Sequence, residues 1–240
     1  MTKYKVLAVT LARGGSKAIK NKNIAKVNGK PLIYYTIKEA KKSKYITDYI
    51  VSTDSKKIAK ISKTLGAEVP FLRPKRLSSD KAKAVDADLH ALKWCEKNKN
   101  KKYDFFIELM VTNPMKTSTD IDNVIKILIK KKADSVIGVS KLNDYHPLRI
   151  KKIVNGKLRD FNKSLKEIPE THRQQLKPYA YIRNGSIYAV KRNLIIKKKR
   201  YGTKNSIPYI MSPKQSINID EKKDLELFKI LLKSNKKSEK

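Results

Sequence analysis

Apolar and polar positions alternate along this chain in two periods, one typical of strands and one typical of helices. Short apolar runs predict buried strands in KYKVLAVTL, DYIVST, YDFFIELM and DSVIGVS. Amphipathic segments between them predict helices in PLIYYTIKEAKKS, SKKIAKISKTLG, VDADLHALKWCEKN and TSTDIDNVIKILIKKKA. Strands that alternate with helices predict an α/β fold, with a mostly parallel sheet and helices on both faces.

The predicted helices carry end signals. Pro31 is expected in the first turn of the first helix. Ser55 is the expected N-cap of the second helix, and Gly66 is its expected stop. Asp120 suits the first turn of a later helix, where negative charge is favourable.

The alternation breaks after Ser140. Residues 141–178 contain an Asn155-Gly156 pair between two apolar-polar alternations, which predicts a hairpin projecting from the sheet. Beyond it, NGSIYAVKR, SIPYI and QSINI predict strands, and DEKKDLELFKILLKS predicts a helix. We therefore expect a single domain over residues 1–240, with 141–178 as an inserted subdomain.

Composition narrows the classes of function. The only cysteine is Cys95, so no internal disulfide can form, which favours a cytoplasmic setting. No apolar run approaches the roughly 20 residues of a membrane span, so no membrane contact is expected. The net charge of +35 would suit nucleic acid or an acidic surface. However, the lysines are spread along the whole chain without a reading motif, so we expect no specific nucleic-acid binding.

The first predicted strand runs directly into LARGGSKAIKNKNI, where two glycines meet several cations. Ligands in open α/β sheets bind beyond the carboxyl ends of strands. Gly14 and Gly15 would let backbone amides approach an anion. Arg13, Lys17 and Lys22 would supply positive charge. A tight turn with hydrated lysines explains the same residues, and the spacing alone does not separate the two interpretations.

Polar residues at other element ends have two interpretations each. Asp54 in VSTDS would contact a ribose or a metal, but a helix cap explains it better. Arg73 in FLRPKRLSSD would face a base or phosphate, or would lie in a surface loop. Asn184-Gly185 in RNGSIY is a turn or a substrate clamp. Asp220 in INIDEKKDLELF is a helix cap or a ligand for magnesium carrying nucleotide phosphates.

Taken in order, these motifs resemble the CMP-sialic acid synthetases, also called acylneuraminate cytidylyltransferases. That family reads PARGGSKGIKNKNI, STDS, an RP…L…D loop, QPTSPLR, NG-aliphatic-Tyr and DID…DL. This chain has LARGGSKAIKNKNI, STDS, RPKRLSSD, MVTNPMK, NGSIY and NIDEKKDL in the same order. The resemblance runs from about Val6 to Phe228, nearly the whole chain.

The resemblance implies a Rossmann-like nucleotidyltransferase fold in which residues 141–178 form the dimerisation arm of a homodimer. It implies that the anomeric hydroxyl of a nonulosonic, sialic-acid-like sugar acid attacks the α-phosphate of CTP, giving a CMP-sugar and pyrophosphate. Magnesium would be the cofactor, and the product would serve cell-surface glycan biosynthesis. A CMP-ketodeoxyoctonate-type synthetase and a non-catalytic nucleotide-binding homologue are the alternatives.

The resemblance also assigns roles by motif position. Arg13 and Lys17 would stabilise the leaving pyrophosphate, and Asp220, with Asn218 beside it, would hold magnesium. The nucleotide would contact Leu11, Ala12, Arg13, Gly14, Gly15, Lys17, Lys22, Asn23 and Arg73. The sugar acid would be bordered by Met110, Thr112, Arg173, Gln174, Asn184 and Gly185.

Several positions depart from the family's motifs. Asn218 replaces the first aspartate of the closing motif, which removes one charge from the metal site. Met110 stands where the family has glutamine, and a thioether cannot make the hydrogen bonds of an amide. Lys116 replaces arginine, and Lys83 and Ala84 stand where serines are common. A modified acid of the legionaminic or pseudaminic type is therefore a serious candidate substrate.

Overall fold

Six strands form one mixed sheet at the centre of the molecule. The structure is a computed structural model that describes residues 4–16, 18–142, 144–164 and 172–238. The strands, including those of two small two-stranded sheets, are β1 (Val6–Leu11), β2 (Lys26–Val27), β3 (Lys30–Pro31), β4 (Asp48–Ser52), β5 (Phe105–Leu109), β6 (Ser135–Lys141), β7 (Lys151–Val154), β8 (Lys157–Asp160), β9 (Tyr181–Lys191) and β10 (Ser206–Ile210). The central order is β10-β6-β9-β5-β1-β4, and β9 runs antiparallel to its neighbours while the other pairs are parallel.

Helices cover both faces of this sheet, as the alternation of elements predicts. The helices are α1 (Leu32–Lys42), α2 (Lys56–Thr64), α3 (Ala84–Asn98), α4 (Ser118–Lys130), α5 (Arg192–Ile196) and α6 (Lys222–Ser238). Val6 and Ala8 of β1 pack with α4, whereas Leu7 and Val9 pack with α3 and α5 on the other face. Because both faces are buried, β1 reads as a continuous apolar run.

Most of the predicted helix ends are confirmed. The Ser55 hydroxyl accepts a backbone N–H from the first turn of α2 at 3.4 Å, and Gly66 follows this helix with φ of 79°. Thr117 and Asp120 form a reciprocal capping box at the start of α4. Pro31 differs slightly, because it is the extended N-cap of α1 instead of a residue of its first turn. No helix in the described ranges is long and apolar enough to cross a membrane.

The strand predicted at QSINI is wrong. Residues 215–219 form no strand, although their apolar-polar alternation favours one. Their backbone is instead bonded to the turn that follows β5. The Ile219 N–H donates to Thr112 O at 2.8 Å, and Asn113 Nδ2 donates to Ile217 O at 2.7 Å. These bonds tie residues 215–219 to the end of a central strand without extending the sheet.

The predicted hairpin is confirmed as β7 and β8, which pair in a separate two-stranded sheet. Asn155 and Gly156 form its turn with φ of 51° and 70°, and two consecutive positive φ values are typical of a type I′ turn. Ile153 and Leu158 lie opposite each other across the hairpin, and their side chains are 76% and 67% exposed. The inserted segment therefore presents apolar side chains outside the core.

Candidate active site

A cleft of about 850 Å³ opens at the carboxyl ends of β1 and β5, the edge where open α/β sheets bind ligands. Residues from several distant motifs line it together. The residues singled out from the sequence that line it are Leu11, Arg13, Lys22, Asn23, Arg73, Met110, Thr112, Asn184, Gly185, Asn218 and Asp220. The fold thus brings most of the sequence-based candidates into one cavity.

The loop after β1 is held by side chains that reach it from elsewhere. The Gly14 N–H donates to Asp54 Oδ1 at 2.9 Å, and Asn23 Nδ2 donates to Arg13 O at 2.8 Å. A Cβ at Gly14 would lie 3.1 Å from Ser55 Cβ, so glycine permits this close approach to α2. The favoured interpretation of Asp54 as a helix cap is wrong, because Ser55 is the cap and Asp54 binds the loop.

Not every predicted loop residue faces the cleft. Ala12 is fully buried in the core beside α1 and α2. Gly14 and Gly15 are not among the described residues that line the cleft, and the Gly14 amide is already bonded to Asp54. To donate to a phosphate, this amide would have to give up its bond to Asp54. Lys17 lies outside the described residues.

Two cations of the cleft are paired with carboxylates. Arg13 Nη1 lies 2.6 Å from Asp80 Oδ1, and both side chains are partly exposed. Lys22 Nζ donates to Ile219 O at 2.9 Å and to Asp220 Oδ1 at 2.9 Å. Lys22 therefore joins the segment after β1 to the segment before α6.

The carboxylate of Asp220, which Lys22 binds, is exposed to solvent. Its side chain is 61% exposed, and its second oxygen accepts a hydrogen bond from Asn218 Nδ2. The backbone N–H groups of Asp220 and Glu221 donate to Asp224 Oδ2 at 2.9 and 2.7 Å, so Asp224 satisfies the start of α6. The alternative interpretation of the Asp220 side chain as the helix cap is therefore wrong.

The donor set at Asp220 fits magnesium only in a substrate-assisted form. Among the described residues, no group of three or more His, Cys, Asp or Glu side chains could hold a metal ion. Magnesium is commonly held by one or two carboxylates together with substrate phosphates. Asp220 suits that mode through its own carboxylate, because Asn218 turns its amide nitrogen, and not its oxygen, towards it.

Asn184 of β9 belongs to another wall of the cleft and is buried within the protein. It is 7% exposed, its Nδ2 donates to Ser216 Oγ at 2.9 Å, and its Oδ1 accepts the Ser186 N–H at 3.0 Å. Gly185 follows with φ of 70°, and a Cβ there would lie 3.3 Å from Asn113 Oδ1. Asn184 therefore shapes this wall with most of its polar capacity used inside the protein.

Arg73 is buried at 5% exposure, so the surface-loop interpretation is wrong. Its backbone N–H donates to Thr53 O at 2.7 Å, and its Nε donates to Ser78 Oγ at 2.9 Å. Burial lowers the pKa of the guanidinium from its ordinary value, while Asp54 and Asp88 counteract this shift. Arg73 thus places a largely desolvated cation beside the cleft.

The sequence does not predict a buried charged cluster that reaches the cleft through Glu108. Asp88 of α3 and Glu108 of β5 are buried, and Arg200 forms ion pairs with both. The Arg200 guanidinium also lies 4.5 Å from the centre of the Tyr188 ring. Burial raises the pKa of Asp88 to about 7, against the lowering effect of Arg200 and Arg73. The available signal was an acid within each of two apolar segments, ADLHAL and FFIELM.

The remaining predicted acceptor residues lie on the arm. Arg173 and Gln174 belong to a short 3-10 helix, Arg173–Gln175. Gln174 is exposed and is not among the described residues that line the cleft. Within one chain, the structure therefore does not bring Gln174 to Met110 and Asn184.

The sequence of this chain is similar to those of several known proteins. The sequence pattern described as Cytidylyltransferase matches residues 7–238. Post-translational flagellin modification protein B of Campylobacter coli is 33% identical over 233 residues, covering 95% of each chain. CMP-N,N'-diacetyllegionaminic acid synthase of Legionella pneumophila is 31% identical over 240 residues, covering 98% of this chain and 99% of that protein.

Two further similarities concern a longer protein and a solved structure. N-acylneuraminate cytidylyltransferase of Escherichia coli O18:K1:H7 is 30% identical over 225 residues, which is 93% of this chain but only 51% of that protein. The structure of CMP:2-keto-3-deoxy-manno-octonic acid synthetase complexed with CTP superposes with a TM-score of 0.70 at 16% identity, covering 96% of this chain and 99% of that one. Because the sequence identity is so low, this structural match shows a similar fold and nothing more.

Proposed function

This chain belongs to the cytidylyltransferase family, and we propose that it transfers the cytidylyl group of CTP to a nonulosonic sugar acid. The family resemblance and the Rossmann-like nucleotidyltransferase fold expected from the sequence are both confirmed. One observation carries the proposal for the site. A single cleft holds the cations Arg13 and Lys22, the carboxylate of Asp220 and the wall formed by Met110 and Asn184.

The cationic end of the cleft would take the triphosphate of CTP. Arg13 and Lys22 line it from the loop after β1, and Arg73 adds a buried guanidinium. Each would exchange part of its present pairing for phosphate oxygens, since cations bind phosphate through charge-assisted hydrogen bonds. Lys17 is proposed for the same role from its motif position alone.

In the proposed reaction, the anomeric hydroxyl of the sugar acid attacks the α-phosphorus of CTP. The new bond joins that oxygen to phosphorus and the hydroxyl proton is released to solvent, while the bond from phosphorus to the bridging oxygen breaks and pyrophosphate leaves with the negative charge. Arg13, Lys17 and Lys22 would stabilise that developing charge in place. Magnesium held by Asp220 and the phosphates would supply further positive charge to the transferring group.

The end of the cleft that would hold the sugar acid favours an acid other than N-acetylneuraminate. Met110 lies at this end, and its sulfur would be 3.7 Å from a Cβ at Gly185. It offers an apolar surface where an amide side chain would offer hydrogen bonds. We therefore favour a modified nonulosonic acid, in line with the relatives named for legionaminic and pseudaminic acids.

A homodimer would complete the acceptor end. Arg173 and Gln174 belong to the same short helix of the arm, and Gln174 does not line the cleft of its own chain, whereas the hairpin exposes Ile153 and Leu158. An arm that packs on a second copy would bury this apolar surface and carry the pair towards the neighbouring cleft. The cytoplasm, where CTP is made available, is the proposed location.

Pyrophosphate release tests the proposal. Purified protein is given CTP and magnesium with a panel of legionaminic, pseudaminic, neuraminic and octulosonic acids, each separately. Release with a nonulosonic acid, lost in Asp220→Ala and kept in the exposed control Glu226→Ala, is the expected result. Release with the octulosonic acid alone would support the ketodeoxyoctonate alternative. CTP binding without release from any acid would contradict the proposed reaction.

A further inference from the structure

Lys116 is a lysine buried beneath the turn that joins β5 to α4. Its side chain is 1% exposed. Its ammonium donates to Met110 O at 2.6 Å, to Asn113 O at 2.5 Å and to Thr36 Oγ1 at 3.2 Å. An ammonium has three donors, so these acceptors match its full capacity.

Such a lysine is costly to keep, because burying a charged group without a partner of opposite charge is unfavourable. The salt bridges of the described residues include none to Lys116. Asp120 of α4 and Glu39 of α1 attract it only at longer range, and burial lowers the pKa of the ammonium to about 7. A methionine would fill the same space without this cost, so the cation is expected to have a specific task.

The bonded carbonyls belong to a turn that connects two walls of the cleft. On one side, the Met110 N–H donates to Ser186 O of β9 at 3.2 Å. On the other side, Thr112 O accepts the Ile219 N–H at 2.8 Å, directly before Asp220. Met110 and Thr112 themselves line the cleft, so the turn sets the acceptor wall and the segment of Asp220 relative to each other.

We propose that Lys116 is a positioning residue, whose ammonium fixes residues 110–113 and thereby aligns the acceptor wall with the Asp220 segment. It does not line the cleft among the described residues, so it acts through Met110 and Thr112. The catalytic part of this inference rests on the proposed cytidylyl transfer, whereas the structural part does not.

The test compares Lys116→Met with Lys116→Arg and with Lys60→Met, an exposed lysine of α2. Lys116→Met removes the charge and the donors, and should lower kcat/KM by about 10- to 100-fold, because small displacements of positioning groups have effects of this size. Lys116→Arg keeps charge and donors and should recover most of the loss. Lys60→Met should behave as the parent protein.

Hydrogen exchange supplies a readout that needs no turnover. In Lys116→Met, the amides of Met110 and Ile219 should exchange faster than in the parent, while those of β1 stay protected. Thr36→Val removes one acceptor from the α1 side and should produce a smaller change of the same kind, which serves if Lys116→Met fails to fold. Unchanged exchange of these two amides in the folded variants would overturn the inference.

The two proposals fail in different ways. Loss of amide protection in a protein that releases no pyrophosphate with any sugar acid would retain the positioning role and contradict the proposed reaction. An active parent with an equally active Lys116→Met variant would contradict the positioning role and retain the reaction. Failure of Lys116→Arg to recover activity while amide protection returns would also overturn the catalytic part.

Discussion

The backbone N–H of Gly14 donates to Asp54 Oδ1 at 2.9 Å, so the aspartate after β4 holds the loop after the neighbouring β1. The two strands pair in parallel, with Leu11 opposite Ser52. Their carboxyl ends therefore meet at the edge where the cleft opens. This bond fixes the backbone beside Arg13 before any anion arrives, which reduces the ordering cost of binding.

Removal of that carboxylate should weaken both nucleotide binding and the fold. Asp54→Ala leaves the Gly14 amide without its partner, and hydrogen bonds to charged groups contribute about 1.5–3 kcal/mol to stability. We expect the Kd for CTP to rise about tenfold and the Tm to fall by several degrees. Calorimetric titration with CTP measures the Kd, and thermal unfolding measures the Tm.

Asp134→Ala is the matched control, because Asp134 pairs with Lys191 at 2.8 Å and does not line the cleft. Equal CTP affinity in Asp54→Ala and the parent protein would show that the loop keeps its conformation without the bond.

The sequence predicts that Arg13, Lys22 and Asn23 line one site, and the structure places all three in the cleft, because these residues are close together in the chain. Arg13, Lys22 and Asn23 belong to one local motif whose place at a strand end follows from the strand-helix alternation. The buried charged cluster could not be predicted in this way. Asp88, Glu108 and Arg200 come from a helix, a strand and a loop that only the tertiary fold brings together.

The failure at QSINI has a similar cause. Alternation predicts which side chains share a face, but a strand also needs a neighbour with free backbone groups. Ile217 and Ile219 instead bond the turn at Thr112 and Asn113. That partnership depends on how the chain returns after β10, which no local pattern encodes.

Gly138 of β6 should resist substitution because of Asn184. A Cβ at Gly138 would lie 2.7 Å from Asn184 Oδ1 and 3.3 Å from Met211 Sδ. Asn184 is buried and bonded on both polar ends, so it cannot yield without losing a hydrogen bond. Gly138→Ala should destabilise the protein by about 1–3 kcal/mol and lower kcat/KM by displacing this wall. Urea unfolding and pyrophosphate release measure the two effects.

Gly15→Ala is the stability control for Gly138→Ala, because a Cβ at Gly15 meets nothing within 4 Å. A free energy of unfolding equal to that of the parent in Gly138→Ala would show that Asn184 has room to move.

The exposed face of the hairpin should carry the contact of the proposed homodimer. Ile153 and Leu158 are cross-strand partners on one face, and Lys152 and Arg159 are partners on the other. The double variant Ile153→Gln, Leu158→Gln removes apolar area and should shift the mass measured by light scattering from dimer to monomer. Lys152→Gln, Arg159→Gln alters the same strands and should leave the mass unchanged. A dimer that persists in the first variant would exclude this face as the main contact.

The buried carboxyl of Asp88 should impose a pH dependence on stability. Burial raises its pKa from 3.8 to about 7, and Arg200, Arg73 and the neighbouring Glu108 are the charged groups around it. Between these two values the folded state binds more protons than the unfolded state, so this contribution to the free energy of unfolding falls as the pH rises. Asp88→Asn keeps the shape and cannot titrate, so its stability should decline less over that window than that of the parent. Urea unfolding at a series of pH values compares the two slopes, and parallel curves would show that Asp88 stays ionised throughout because Arg200 outweighs burial.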